Sequence, residues 1–282
     1  MSSLPAPVAE ALDQPPAGHR RVVEAAGIPF SSIEWGASND RPLVLLHGVT
    51  ASARIWWRVG AALAASGRRV VAVDLPGHGL TGNWRGHHHF RDNARDVVAW
   101  LRAAGLDRPE TQIVGHSWGG MTAAALPGAG IRPATLVLLD PPAVPLEVIA
   151  RMASDPSEQP DRDLAGAIER LSTLNPAWSH GDVEAKAEAL IQLDVDATRA
   201  VLLDNGDWDG GLADAAVAVE LGVPTWLIRA APAAGGYLAD DRLPAFEAIL
   251  GPDRIVTLRG APHAPQRTHP VETTLALLHA LG

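Results

Sequence analysis

The chain has 282 residues, 47% of them hydrophobic, enough to fill one α/β-sized core with room for an insertion. Its formal net charge of -9 is spread without long runs of one sign, which argues against the basic face that a nucleic-acid partner requires. The absence of cysteine removes disulfides, thiolate metal sites and a cysteine nucleophile.

In chain order, Met1 to Gly18 is rich in Pro and Ala and reads as a loosely ordered arm, with packing along the surface as the alternative. It lacks a basic start followed by an apolar core, and no run approaches the roughly 18 apolar residues that span a bilayer. A cytoplasmic location without a membrane partner is therefore expected. Arg20 to Ala25 and Ile28 to Trp35, joined at Ala26-Gly27, predict an antiparallel pair. Pro42 to Leu46 is a Val/Leu-rich run suited to a strand buried on both faces, and it ends in His47-Gly48-Val49-Thr50. Ala53 to Ala65 has helix-forming composition, and Arg69 to Val73 is a second buried strand closing in Asp74-Leu75-Pro76-Gly77-His78-Gly79. Two such strands linked by a helix imply a parallel, crossover-linked sheet. The triplet His87-His88-His89 does not read as a metal site, because three consecutive side chains point in different directions.

Thr111 to Val114 is the next apolar run. It leads through Gly115-His116-Ser117-Trp118-Gly119-Gly120 into the small residues Met121 to Ala125. That is strand, sharp turn and helix with a serine at the apex, a turn tight enough to demand glycine two positions to either side. The Trp118 amide, first in the new helix, would point where an oxyanion forms, and the His47-Gly48-Val49-Thr50 loop would supply a second amide from Val49. Ala134 to Leu139 predicts a further buried strand with Asp140 at its C-terminal end. From Pro141 to about Leu221 the pattern changes to proline-punctuated helices, including Asp163 to Leu174 and Asp182 to Leu193, too long for a simple connection. Val223 to Arg229 and Arg254 to Leu258 read as the last core strands, and Leu243 to Leu250 and Pro270 to Leu281 as helices.

The His-Gly loop, the Asp-Leu-Pro-Gly-His-Gly turn and the Gly-His-Ser-Trp-Gly-Gly elbow stand in register. Together they make the chain resemble the α/β-hydrolase fold family from about Arg20 to the C-terminus. The resemblance implies an α/β class with a mostly parallel central sheet flanked by helices and carrying an inserted helical cap. The expected division is an arm at 1–18, a core at 19–140 and 222–282, and a cap at 141–221.

A serine hydroxyl needs a base within hydrogen-bond reach and a carboxylate to hold that base. His263, in Gly260-Ala261-Pro262-His263 after the final strand, stands where the family carries its base; His269 and His279 are the alternatives. His47, His78 and His116 fall in turns that shape the site, where a histidine more often bonds backbone than transfers protons. Most family members place the acid after the seventh strand, but here that stretch is Ala230-Ala231-Pro232-Ala233-Ala234-Gly235-Gly236. A minority place it after the sixth strand, where Asp140 stands. Asp240 is the alternative acid, although it and Asp241 also read as helix N-caps.

The expected chemistry is acyl transfer by Ser117, His263 and Asp140 with the Val49 and Trp118 amides as oxyanion hole, acting on a small carboxylic ester or a lactone. No dinucleotide or phosphate-binding fingerprint occurs, so no cofactor is expected. A cofactor-free dioxygenase, a C–C hydrolase and a non-catalytic receptor are the competing readings of the scaffold. Trp56, Trp57, Trp84, Trp178 and Trp208 are candidates to line the pocket, with His47, Gly48 and His116 beside the serine. Asp204 to Asp209 reads as a solvated acidic turn rather than a Ca²⁺ loop. Lys186, the sole lysine among 23 basic residues, reads as a coding bias.

Overall fold

The computed structural model describes residues 3–37, 41–83 and 88–282; Trp84 and His87 lie outside them. Eight strands form one sheet: β1 (His19–Ala25), β2 (Ile28–Trp35), β3 (Pro42–Leu46), β4 (Arg69–Val73), β5 (Gln112–His116), β6 (Thr135–Leu139), β7 (Thr225–Ala230) and β8 (Ile255–Leu258). Their spatial order is β1-β2-β4-β3-β5-β6-β7-β8. In this sheet, among the described residues, β2 pairs antiparallel with β1 and with β4 and the other pairings are parallel. The β1–β2 connection is the two-residue turn Ala26-Gly27, both residues at positive φ (50° and 78°), the twist that a tight hairpin needs.

Helices cover both faces because alternate residues of the buried strands point to opposite sides. On β3, Leu43 and Leu45 join one apolar cluster and Val44 and Leu46 the other. The first cluster packs under α2 (Trp57–Ala65) and α12 (Pro270–Leu281); the second lies under α3 (Phe90–Ala103) and α4 (Trp118–Ala125). The arm departs from its expected looseness. Ala6–Asp13 forms α1, which buries Val8, Ala11 and Leu12, with Val8 and Leu12 joining the first cluster. The spacing of those three residues is a helical stripe, and Pro5 and Pro7 sit at its start, where proline is tolerated.

Between β6 and β7 the chain forms α5 (Leu146–Met152), α6 (Leu164–Leu174), α7 (His180–Ile191), α8 (Val195–Leu203) and α9 (Leu212–Glu220). Asp163, Ser179 and Asp194 cap three of these helices through their side chains. Ala167 and Leu171 of α6 meet Val183, Ala187 and Leu190 of α7 in a small apolar cluster separate from the two under the sheet. The acidic turn is tied into this region: Asp207 accepts from the Leu146 amide at 2.8 Å, and Trp208–Asp209 pairs with Ala143–Val144. After β7 come α10 (Leu243–Leu250) and the one-turn α11 (Pro265–Thr268), which precedes α12. Among the described residues no helix is long and apolar enough to cross a membrane.

Candidate active site

Ser117 caps α4 at φ 55° and ψ -124°, a conformation that lifts its side chain clear of the sheet edge. Only glycine fits around it. A Cβ on Gly115 would meet the Gly119 carbonyl oxygen at 2.1 Å, and one on Gly119 would meet the His47 carbonyl oxygen at 2.4 Å. The Ser117 amide donates to the Leu139 carbonyl at 2.9 Å, which ties the elbow to β6.

The structure brings Ser117, His263 and Asp140 together. His263 Nε2 lies 2.9 Å from Ser117 Oγ, and His263 Nδ1 lies 2.7 Å from Asp140 Oδ2. Asp140 is fully buried at the end of β6 with φ 44°, a left-handed conformation that aspartate tolerates better than most residues. Its Oδ1 accepts from the Ala230 amide at 2.9 Å and its Oδ2 from the Tyr237 amide at 3.2 Å. With three donors facing the carboxylate, the imidazole proton sits on Nδ1 and leaves Nε2 to accept from serine.

Asp240 points elsewhere and pairs with Arg229 at 2.7 Å with its side chain 76% exposed. The N-cap expectation for Asp240 and Asp241 fails. They lie in a 3-10 turn, Asp240–Arg242, and the residue before α10 is Arg242, with no side-chain cap. Pro244 supplies the preset φ at the start of α10, so a capping carboxylate is not needed to begin it. His269 contacts Thr268 at 3.0 Å, and the His279 ring packs on Trp226. Neither makes a contact with Ser117.

Trp118 follows the serine as the first residue of α4, and Val49 lines the same cavity as the serine. Among the described residues neither backbone amide donates to another protein group. The loop carrying Val49 is held from below by His47, whose Nδ1–H donates to the Gly48 carbonyl at 2.8 Å and whose Nε2 accepts from the Leu75 amide at 2.9 Å. Burial pushes His47 down to about 4, partly opposed by that carbonyl bond, so it is neutral. His78 is lowered to about 3 by burial and by neighbouring His47. His116 donates from Nε2 to the His263 carbonyl at 2.8 Å, and burial keeps it well below its ordinary value. These histidines are buried scaffolding.

A cavity of about 690 Å³ opens above Ser117 and His263, lined by Gly48, Val49 and His116 from the core and by Trp178 and Trp208 from the helical segment. Among the described residues, the other two tryptophan candidates are not part of this lining. Trp56 is buried in the core, and Trp57 donates to Asp182 at 3.0 Å.

Four residues of the site went unread in the sequence: Tyr237, Glu158, Lys186 and Arg267. The Tyr237 ring packs edge-on against His263 at 4.5 Å. Lys186 is 3% exposed and donates to the Thr50 carbonyl at 3.0 Å, to Thr50 Oγ1 at 2.9 Å and to Glu158 at 2.5 Å. It thereby grips Thr50, which sits at φ 60° beside Val49. Burial opposes ionisation of Glu158, but the Lys186 ammonium and the hydrogen bonds from Lys186 and Thr50 prevail and hold its carboxyl below the usual range. The signal for Lys186 was its singularity: in a chain that otherwise uses arginine, the one compact ammonium sits where a guanidinium fork would not fit three converging oxygens.

A model of the alpha/beta hydrolase family matches residues 43–277. Lipase LipV of Mycobacterium tuberculosis is 30% identical over 269 residues, covering 88% of this chain and 96% of the lipase. Methylesterase 7 of Arabidopsis thaliana is 32% identical over 88 residues, 31% of this chain and 34% of that protein's length. Among solved structures, an E-2-(acetamidomethylene)succinate hydrolase superposes with a TM-score of 0.75 at 19% identity over 94% of this chain and 99% of its own, a likeness of fold.

Proposed function

The chain belongs to the alpha/beta hydrolase family, and we propose that it cleaves carboxylic esters through an acyl-enzyme on Ser117. The observation that carries this reading is His263, set 2.9 Å from Ser117 Oγ and 2.7 Å from Asp140 Oδ2 at the floor of the cavity. In the first half-reaction His263 Nε2 takes the hydroxyl proton as Oγ attacks the ester carbonyl. Asp140 holds the imidazole in the accepting tautomer and balances the imidazolium charge. The Val49 and Trp118 amides receive the developing oxyanion. Collapse expels the alcohol, which leaves with the proton from His263; water then attacks the acyl-enzyme by the same route and regenerates Ser117. The helical segment 141–221 serves as a cap, with Trp178 and Trp208 giving the cavity an apolar wall.

A panel of 4-nitrophenyl esters from acetate to octanoate, with lactones alongside, tests the reading. Turnover of short and medium esters is expected, with a loss of at least about 10³-fold in Ser117→Ala. Undiminished turnover by folded Ser117→Ala would instead favour a serine that only binds substrate.

A further inference from the structure

Arg267 lies four residues beyond His263, on α11, and its side chain lines the cavity that holds Ser117. It is 91% buried, with 9% of its surface exposed, and its guanidinium lies over the Trp178 ring at 4.0 Å from the centroid. Among the described residues the guanidinium makes no hydrogen bond and no ion pair with a carboxylate. The carboxylates around it are engaged. Glu158 is held by Lys186 and Thr50; Asp182 accepts from Trp57 and Ser179; Asp155, exposed at the cavity rim, accepts from the Ser157 amide. Arg199, the remaining charged residue of the lining, is exposed and adds a further positive charge.

A buried guanidinium that no carboxylate touches is costly; burial lowers the pKa of Arg267, the more distant Glu158 and Asp182 carboxylates partly oppose this, and the group keeps its charge. Of the charged side chains that line this cavity, Lys186 pairs with the half-buried Glu158, whereas Arg267 has no carboxylate within ion-pair distance. Its planar fork is the shape that receives a carboxylate through two parallel bonds, and the Trp178 face fixes its plane. We propose that the substrate is an ester bearing a second, ionised carboxyl group, and that Arg267 binds that carboxylate while Ser117 attacks the ester carbonyl. The proposal rests on the serine-esterase reading, so its test includes a measurement that needs no turnover.

Mono(4-nitrophenyl) glutarate and 4-nitrophenyl butyrate present nearly the same acyl chain with and without the charge. The ratio of their kcat/KM values, anionic over neutral, is expected to fall by about 30-fold in Arg267→Met and to recover in part in Arg267→Lys, as loss of a charge-assisted pair predicts. Glutarate itself is expected to bind folded Ser117→Ala in calorimetry, and Arg267→Met should abolish that binding. In the wild type, where folding of a variant is not at issue, glutarate should inhibit butyrate ester turnover competitively and dimethyl glutarate should not. An unchanged ratio without glutarate binding or inhibition overturns the anion site and leaves the esterase intact. Glutarate binding that depends on Arg267, with neither ester hydrolysed, keeps the site and overturns the esterase.

Discussion

Asp140→Asn separates chemistry from folding, because every group facing the carboxylate is a donor. The Ala230 amide faces Oδ1, while the Tyr237 amide and His263 Nδ1–H face Oδ2. An asparagine offers one acceptor oxygen, so at least one of these buried N–H groups loses its partner at a cost of about 1–3 kcal/mol. If the amide nitrogen turns toward His263, the imidazole must move its proton to Nε2 and can no longer accept from Ser117. If it turns toward Ala230, the tautomer survives but the counter-charge is gone. Either arrangement lowers kcat/KM, with an expected loss of about 10³ to 10⁴-fold, equivalent to about 4–5.5 kcal/mol of transition-state stabilisation. The loss of activity therefore exceeds the loss of stability. Asparagine also tolerates the φ of 44° at this position, so the backbone is spared. The assay is ester turnover together with urea denaturation of Asp140→Asn and Asp240→Asn. Asp240→Asn, which removes only an exposed partner of Arg229, is expected to change turnover by less than about tenfold. Asp140→Asn within tenfold of wild type, or Asp240→Asn as the severe variant, would refute the assignment of the acid.

Gly119→Ala is expected to cost about 1–3 kcal/mol or more and to abolish ester turnover, since its Cβ would lie 2.4 Å from the His47 carbonyl oxygen. Gly128→Ala, where the nearest atom is 3.5 Å away, is the matched control, and equal melting of the two variants would contradict the packing argument. The buried histidines set the acid limit of stability. His47 and His78 protonate near 6.5 when unfolded but near 4 and 3 when folded, and His116 is lowered in the same direction. Below pH 6.5 the unfolded chain therefore binds the extra protons, so stability is fully present above that pH and falls on acidification toward about 4. The slope approaches ~1.4 kcal/mol per pH unit for each such histidine, and unfolding free energies that stay level between pH 6.5 and 4.5 would contradict their buried neutral state.

The parallel core was legible because β3, β4 and β6 carry the unbroken apolar runs 43–46, 70–73 and 136–139, a local signal that tertiary packing does not reverse. The elbow was legible because its backbone admits only glycine at 115 and 119. Asp140 was legible through the resemblance and through the lack of any acid in the segment after β7. What stayed hidden depended on contacts between distant parts of the chain. Proline and alanine content masked the short apolar stripe Val8, Ala11 and Leu12, whose helix exists because α2 and α12 offer it a surface. The exposed pair of Asp240 with Arg229 requires knowing which way the 3-10 turn faces. Glu158, Lys186 and Arg267 are spread over more than a hundred positions, and only the folding of the helical segment over the sheet edge brings them together at Thr50 and the cavity.

The central claim is that Ser117 is an activated nucleophile, and its most direct test is covalent labelling with a fluorophosphonate followed by intact-mass and peptide mass spectrometry. The expected result is one phosphonyl group per chain, on the peptide that carries Ser117, and no label on folded Ser117→Ala or on wild type inactivated in advance at that serine. Absence of label on folded wild-type protein, or a label on another residue, would contradict the account.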